Sequence, residues 1–583
     1  MRTIRFWCIT AAIFLLTFVA FFHKTSEISL DLGEHLVFGR EIIQNRILPT
    51  TNMFSYTYPS APFVHHEFIP DILFYLFSQW WGINSLIIVT AIIVMLSFGL
   101  LFFYVRKTVT PVVLFAGSFV YLRILFERTY VRPEVFSYLF LSIFIVILLT
   151  FRKRFTRWVY LLIPLQFLWV NSHIYFIMGI FLISCAFGDL ILTNAYHVRR
   201  NDLYAITGVL IASILMCFAN PNGVVGALYP FTVFTNYGFS VAENNSIFVI
   251  ESLSPGRIIY SILFLKIAIV SLCFSLFFSF KKEKFFVWIA AATFAFLSVS
   301  AIRNFPLFIF GTFVLFLESA NTTVLFFVKK IHNKLYSLKQ VLTIGSEFTL
   351  FILFLVFIPF VWTLQHGGLG TDDPAKKAVD FFIAHHISGP IFNNYGIGSY
   401  LVYRLYPKEK VFVDGRPEAY PKEFFQNTYI PMQNDPIIFQ KQSNRYQFNS
   451  IIFDYPAEQT NVSRKFIADI LRNTQWHMVY LDDTVVIFVS DAQKNRKLIA
   501  PYEISQQTYT LEKKNYSEYS LENLAYFFTI AGWDSKAQEA YQKILAINPN
   551  NCAALANMDM VLAQKHDSGA AILEARYQSV CQK

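Results

Sequence analysis

Apolar and polar positions along this chain alternate in long blocks rather than in short periods. A helix needs about 20 consecutive apolar residues to cross a bilayer. Eleven segments approach that length: 6–22, 84–104, 108–126, 134–151, 157–171, 173–192, 203–219, 258–280, 285–301, 304–328 and 341–364. This pattern predicts a polytopic α-helical membrane domain over residues 1–364. The first span lacks a small-residue cleavage site and continues into "FFHKTSE", so it reads as an uncleaved helix.

Beyond the last span the pattern becomes that of a soluble protein. "GPIFNNYGIGSYLVYRL", "KVFVDGR", "NSIIFDY" and "WHMVYLDDTVVIFV" read as strands, the last as a hairpin turning at Asp482 and Asp483. "DPAKKAVDFFIAHH" and "SRKFIADILRNT" read as helices. Residues 365–500 are therefore expected to form a small extracytoplasmic α/β domain, followed by a helical tail over 501–583. "GIGS" lacks the Lys-Ser/Thr element of a phosphate loop.

Composition agrees with a membrane protein: 55% of the 583 residues are apolar and 15% charged, where soluble domains carry about a quarter. The formal charge of +10 argues against nucleic acid as a partner, because the basic residues cluster in short loops between apolar runs. With Arg2 and Arg5 taken as cytoplasmic, the clusters at Arg106–Lys107, Arg152–Arg157, Arg199–Arg200, Lys281–Lys284 and Lys329–Lys334 all fall on that side. An odd number of spans then places the C-terminus outside the plasma (inner) membrane. The six cysteines show no metal-binding spacing, and Cys552 and Cys581 are candidates to pair in an oxidising compartment.

The outward loops hold the polar chemistry: "DLGEH", "HHEF", "ERTYVRPE", "NSH", "NPNG" and "IRN". Ionisable groups thus gather at one membrane face, at the ends of many spans. Transporters place such groups near mid-membrane on broken helices. A one-sided set suits an enzyme whose substrate keeps a tail in lipid and a reactive head outside.

The first outer loop, residues 23–67, carries an acid at each end, Asp31 and Glu67. "DLGEHLVFGREIIQNRIL" has the spacing of an amphipathic helix lying along the interface, with Asp31, Glu34 and His35 on one face. Asp31 reads equally as a general base and as a helix N-cap. "PTTNMFSYTYPSAPF" reads as an extended crossing, and Trp80 and Trp81 as interfacial anchors where the chain re-enters the bilayer. Asn220 and Asn222 read as turn formers.

"DLGEHLVFGREI…P.TNMFSYT.P…HHEFIPDILFYL" resembles the first outer loop of GT-C-type membrane glycosyltransferases, in particular bacterial relatives of dolichyl-phosphate-mannose-dependent mannosyltransferases. "YVRPEVFSYL", "WVNSHIYFIMG", "ANPNG…YP", "AIRNFPLF" and "VFVDGRPEAYP" are similar to later motifs of the same branch. Many of these enzymes carry two adjacent acids in the first loop, whereas Asp31 and Glu34 stand three apart. The resemblance implies transfer of a sugar from a polyprenyl-phosphate carrier to an acceptor glycan, lipid or protein outside the membrane. Asp31 would be the base, with Glu34, His35 and Glu67 completing the catalytic group. Arg128, Arg132 and Arg303 would face the carrier phosphate, and His66, His173, Asp414 and Arg416 would contact substrate. The set of histidines and carboxylates leaves room for a divalent cation, and no cofactor is otherwise implied.

"LENLAYFFTIAGWDSKAQEAYQKILAINPNN" is similar to a tetratricopeptide helix–turn–helix. Such arrays need about three repeats to stand alone, so residues 515–566 are expected to dock on the α/β domain or a protein partner, or to be a capping hairpin. Two other readings stay open. A transporter or flippase of lipid-linked sugars would use the charges inside spans, chiefly Lys266 and Glu318, and a non-catalytic scaffold would use the tail.

Overall fold

The computed structural model describes residues 2–26, 30–193, 200–233, 237–239, 241–280, 285–331, 357–456, 461–511, 516–564 and 569–581. Most of the expected 341–364 span and the basic clusters at 281–284 and 329–334 lie wholly or partly outside these residues.

Among the described residues, five helices are long and apolar enough to cross a membrane: Ile83–Val105, Glu134–Lys153, Ile174–Leu192, Tyr260–Ser279 and Ile302–Val328. At 1.5 Å per residue, about 20 residues match a hydrocarbon core of about 30 Å. Other apolar segments form shorter helices, among them Arg5–Phe21, Arg157–Val170 and Phe285–Ser300. The helices share one apolar core rich in phenylalanine, where Phe98 meets Phe310 at 4.9 Å between ring centroids.

The first outer loop packs between other parts of the protein. Its helix, Leu32–Gln44, buries Leu32, Glu34, Leu36, Val37 and Phe38, while Ile43, Ile47 and Leu48 beyond them stay exposed. It is wedged between the Phe68–Trp81 helix and the Tyr395–Leu405 helix of the C-terminal part. Gly39 permits the first approach: a Cβ there would stand 2.1 Å from the Asp71 carbonyl oxygen. The segment that follows is not the extended crossing expected: it folds back on itself, with Thr51 bridging Pro62 and Phe63 N–H donating to Thr50 O. It is stitched to the C-terminal domain by Val411 N–H donating to Phe54 O, Tyr56 N–H to Val411 O and Asn52 Nδ2 to Ala419 O. Trp80 and Trp81 are exposed.

The C-terminal sheet has four strands, β1 (Ile391–Asn393), β2 (Ser450–Asp454), β3 (Trp476–Leu481) and β4 (Val485–Ser490), in the order β1-β2-β4-β3. β1 and β2 are parallel, and the other pairs antiparallel. The hairpin turns at the expected aspartates, with Asp482 Oδ1 accepting from Thr484 and Val485 N–H.

Two segments depart from the strand reading. "YGIGSYLVYRL" is a helix, Tyr395–Leu405, whose buried residues Ile397, Leu401 and Leu405 follow a helical period. Gly398 lets it touch the neighbouring chain, since a Cβ there would meet Val413 O at 2.3 Å. "KVFVDGR" joins no strand of the sheet. It makes a single bridge, Val411 to Ser55, because its edge is taken by the first outer loop.

The tail forms a helix–turn–helix, Glu518–Ala531 with Asp534–Ile547, and a second pair of packed helices, Cys552–Gln564 with Gly569–Cys581. A Cys552–Cys581 disulfide closes the second. Tyr455 meets Phe527 at 5.2 Å between centroids, so tail and sheet share one core.

Candidate active site

A cavity of about 540 Å³ lies where one set of helix ends meets the segment 30–71 and the C-terminal domain. Its wall includes Asp31, Glu34, His35, His66, Glu67, Arg128, Arg132, His173, Arg303 and Arg416, brought together from segments far apart in sequence. Asp414 is fully buried behind it.

Asp31 occupies the N-cap position of the Leu32–Gln44 helix, yet its side chain makes no capping hydrogen bond. Its carbonyl accepts from Glu34 and His35 N–H, and its carboxylate turns away toward Arg132. Arg132 Nε stands 3.1 Å from Asp31 Oδ2, an ion pair rather than an aligned hydrogen bond. Among the described residues, Asp31 Oδ1 is buried with no hydrogen-bond partner. Glu67 repeats the arrangement at the other end of the loop, as an N-cap residue of Phe68–Trp81 that caps nothing.

The arginines form a second wall. Arg128 donates to both oxygens of Glu134 at 3.1 and 2.7 Å, and to Glu243 at 2.6 Å. Arg132 shares Glu243 at 2.8 Å. Burial opposes charge on Glu243, but Arg132 and Arg128 outweigh it and hold the carboxyl well below the usual range. Glu243, in a polar stretch between two apolar runs, is a site residue that sequence reasoning missed. Tyr130 lies under both guanidinium groups, 5.5 and 5.2 Å from its centroid. Arg303, at the outer end of the Phe305–Ile331 helix, donates to Asn244 at 3.0 Å.

The third wall is built from imidazoles and acids. Asp71, also missed, is fully buried and bracketed by His35 Nδ1 at 2.7 Å and His65 Nε2 at 2.6 Å. Burial disfavours charge on His35, but Asp71 and Glu67 overcome this and push it up to about 10. Burial raises Glu67 to about 7. Around Glu67 stand His173 Nε2 at 3.6 Å and the Nε2 atoms of His66 and His35, each at 3.8 Å. The hydrogen bonds of the other ring nitrogens set the tautomers. The Tyr175 N–H donates to His173 Nδ1, which leaves the His173 proton on Nε2. His66 Nδ1 faces the Val64 carbonyl at 3.2 Å and must be its donor, which leaves a lone pair on Nε2. Burial lowers His66 to about 4. Asn222 Nδ2 secures this segment through the His65 carbonyl, a contact beyond the expected turn role.

Glu34 points into the C-terminal domain. Its Oε1 accepts from Ser399 Oγ at 2.6 Å and Gly415 N–H at 3.1 Å, and Oε2 lies 3.0 Å from Arg416 Nε. Burial and the neighbouring Asp414 push Glu34 up to about 8. Arg416 is held by Asp414 at 2.6 Å and Asn52 at 2.9 Å, among the rings of Phe38, Phe54 and Phe63. These three residues join loop to domain, so Asp414 stands behind the cavity rather than against a substrate. The same domain contributes Tyr395 and Glu418 to the cavity wall, neither of them singled out from sequence.

A divalent cation would need several of these donors free and convergent. Asp31 and Glu243 already face guanidinium groups, Asp71 is spent on two imidazoles, and His173 carries its proton on Nε2. Among the described residues, no three His, Cys, Asp or Glu side chains are placed to hold a metal ion. The donor set does not fit the cation that the sequence left room for.

With the cavity defined, comparison with known proteins bears on the fold. One solved structure aligns over 93% of this chain and 86% of its own, with a TM-score of 0.56 and 10% sequence identity. It is the archaeal oligosaccharyltransferase AglB from Archaeoglobus fulgidus, in complex with an inhibitory peptide and a dolichol-phosphate. The chain has an oligosaccharyltransferase-like fold. The likeness is one of fold, and it agrees with the GT-C-type fold expected from the first-loop motifs. No protein-family model matches the sequence, and neither does any curated protein.

Proposed function

We propose that this protein is a membrane glycosyltransferase that moves a sugar from a polyprenyl-phosphate carrier to an acceptor on the extracytoplasmic face. The observation that carries this reading is the single cavity, in which an uncapping Asp31 faces a wall of arginines. The similar fold of a protein whose structure contains dolichol-phosphate supports the class of donor.

In this mechanism the acceptor hydroxyl attacks the sugar C1, its proton passes to Asp31, and the C1–O bond to phosphate breaks. The carrier leaves as a polyprenyl phosphate. Arg132 aims the Asp31 carboxylate, so that Oδ1 is ready to accept. Arg303, oriented by Asn244, and Arg132 balance the charge developing on the phosphate. Arg128, held by two carboxylates, shapes that wall. A single displacement of this kind inverts C1. The basic loop clusters place the N-terminus in the cytoplasm and the cavity outside.

A transport path is disfavoured because its best charges are paired, Lys266 with Glu251 at 2.6 Å and Glu318 with Lys153 at 3.0 Å. The scaffold reading leaves the cavity without a purpose.

The test is transfer from polyprenyl-phosphate-linked sugars in proteoliposomes. Asp31→Asn is expected to lose about 10²–10⁴-fold in rate, the usual contribution of a positioned base. Full retention of rate by a folded Asp31→Asn removes Asp31 from that role.

A further inference from the structure

Glu418 is the cavity residue that the scheme above does not use. It comes from the C-terminal domain, in the short turn Pro417–Ala419 that follows the Arg416 anchor. Among the described residues its carboxyl hydrogen-bonds no other residue's side chain and forms no ion pair. Other acids in the cavity wall have side-chain partners: Asp31 has Arg132, Glu34 has Ser399 and Arg416, Glu134 and Glu243 have arginines.

The group that looks toward it is His66, from the first outer loop. Glu418 and His66 are each among the charges the other feels, and no ion pair joins them among the described residues. His66 is fixed on both sides, by the Val64 carbonyl at Nδ1 and by the Tyr229 ring at 5.0 Å. Its Nε2 therefore presents a lone pair, with no proton of its own. Burial raises Glu418 above the usual carboxyl range. Two parts of the cavity wall thus each present a lone pair, the imidazole Nε2 and a carboxyl oxygen. Neighbouring hydroxyl groups, each giving one hydrogen bond, complement both.

Resting on the glycosyl-transfer reading, we propose that His66 and Glu418 form a hydroxyl-binding subsite for the acceptor, built jointly by the first outer loop and the C-terminal domain. The acceptor class this selects is a neutral, hydroxyl-bearing group with a second hydroxyl beside the reacting one. The C-terminal domain then takes part in acceptor choice as well as closing the cavity. Neither side chain takes the reacting proton, which goes to Asp31.

The experiment uses the full chain in nanodiscs and two readouts. The first is saturation-transfer NMR with methyl α-D-glucopyranoside as probe, which needs no donor and no turnover. Wild type is expected to bind the probe. His66→Phe and Glu418→Leu should each weaken the signal about 3–10-fold, the worth of one net hydrogen bond. His66→Gln and Glu418→Gln keep a polar group of similar size and should retain most of it, which separates a lost contact from a lost fold. No binding by wild type, or unchanged binding in both apolar variants, overturns the subsite.

The second readout is sugar transfer from polyprenyl-phosphate donors. The apolar variants should raise the acceptor KM about 3–10-fold while leaving the donor KM unchanged. Probe binding that depends on His66 and Glu418 with no transfer at all would sink the transferase reading and leave the subsite standing. Transfer with an unaltered acceptor KM in both apolar variants would do the reverse.

Discussion

Arg132 Nε lies 3.1 Å from Asp31 Oδ2 across a sequence separation of about a hundred residues. The pair joins the start of the first-loop helix to the loop before Glu134–Lys153. Arg132 also touches Glu243, so the three side chains form one charge chain across the cavity. A double-mutant cycle with Asp31→Asn and Arg132→Gln is expected to show strong coupling in the transfer rate. Removing either partner disables the same carboxylate, so the double variant should be little worse than Asp31→Asn alone. Additive losses would mean that Arg132 does not act through Asp31.

The guanidinium of Arg416 is buried and shared by Asp414 and Glu34. Arg416→Ala leaves two carboxylates facing each other in a site walled by Phe38, Phe54 and Phe63. We expect a loss of about 3–5 kcal/mol, as when one partner of a buried pair is removed. Arg416→Lys should not rescue it, because one ammonium cannot serve both acids and Asn52 in that geometry. Thermal melts together with proteolysis at the junction between loop and domain would read this out. A melt unchanged from wild type refutes the keystone role.

Stability should fall as the medium turns alkaline. Glu34 and Glu67 rise from 4.5 to about 8 and about 7, and His35 from 6.5 to about 10. Each binds its proton more tightly folded than unfolded. Its contribution is therefore complete below the unfolded value and is lost as pH climbs through the folded one. His66, lowered from 6.5 to about 4, works in the opposite sense and contributes above 6.5, with loss toward about 4. Melting temperature should accordingly peak on the mildly acidic side of neutrality. Glu34→Gln should flatten the decline between about pH 5 and about pH 8. An optimum above about pH 9 contradicts these assignments.

Cys552 and Cys581 are joined at the two ends of the final helix pair. On the proposed orientation, with the C-terminal domain outside the membrane, this bond should form in cells, and both thiols should resist maleimide labelling until reduced. Free thiols at these positions in unreduced membranes would reverse the orientation taken from the basic loops.

Much of the site was legible from local chemistry. Asp31, Glu67, Arg128, Arg132, His173 and Arg303 each sit where a polar group interrupts apolar sequence, and all reach the same cavity. Asp71 was hidden because it lies within the apolar helix Phe68–Trp81, where hydropathy outweighs one acid. Glu243 and Glu418 sit in irregular segments without any periodic signal. The Tyr395–Leu405 helix was misread because a short apolar run suits a strand and a buried helix equally.

Residue order alone determined where the chain prefers lipid, which loops carry charge and which acids stand beside spans, because hydropathy is a property of neighbours in sequence. Tertiary structure decided which way each acid faces. Asp31 could have capped its helix, yet its carboxylate turns to an arginine from another loop. Glu34, one turn further along, instead meets a serine and an arginine from the C-terminal domain. A side chain's orientation depends on the charges brought near it by folding, and those come from parts of the chain that no local pattern connects.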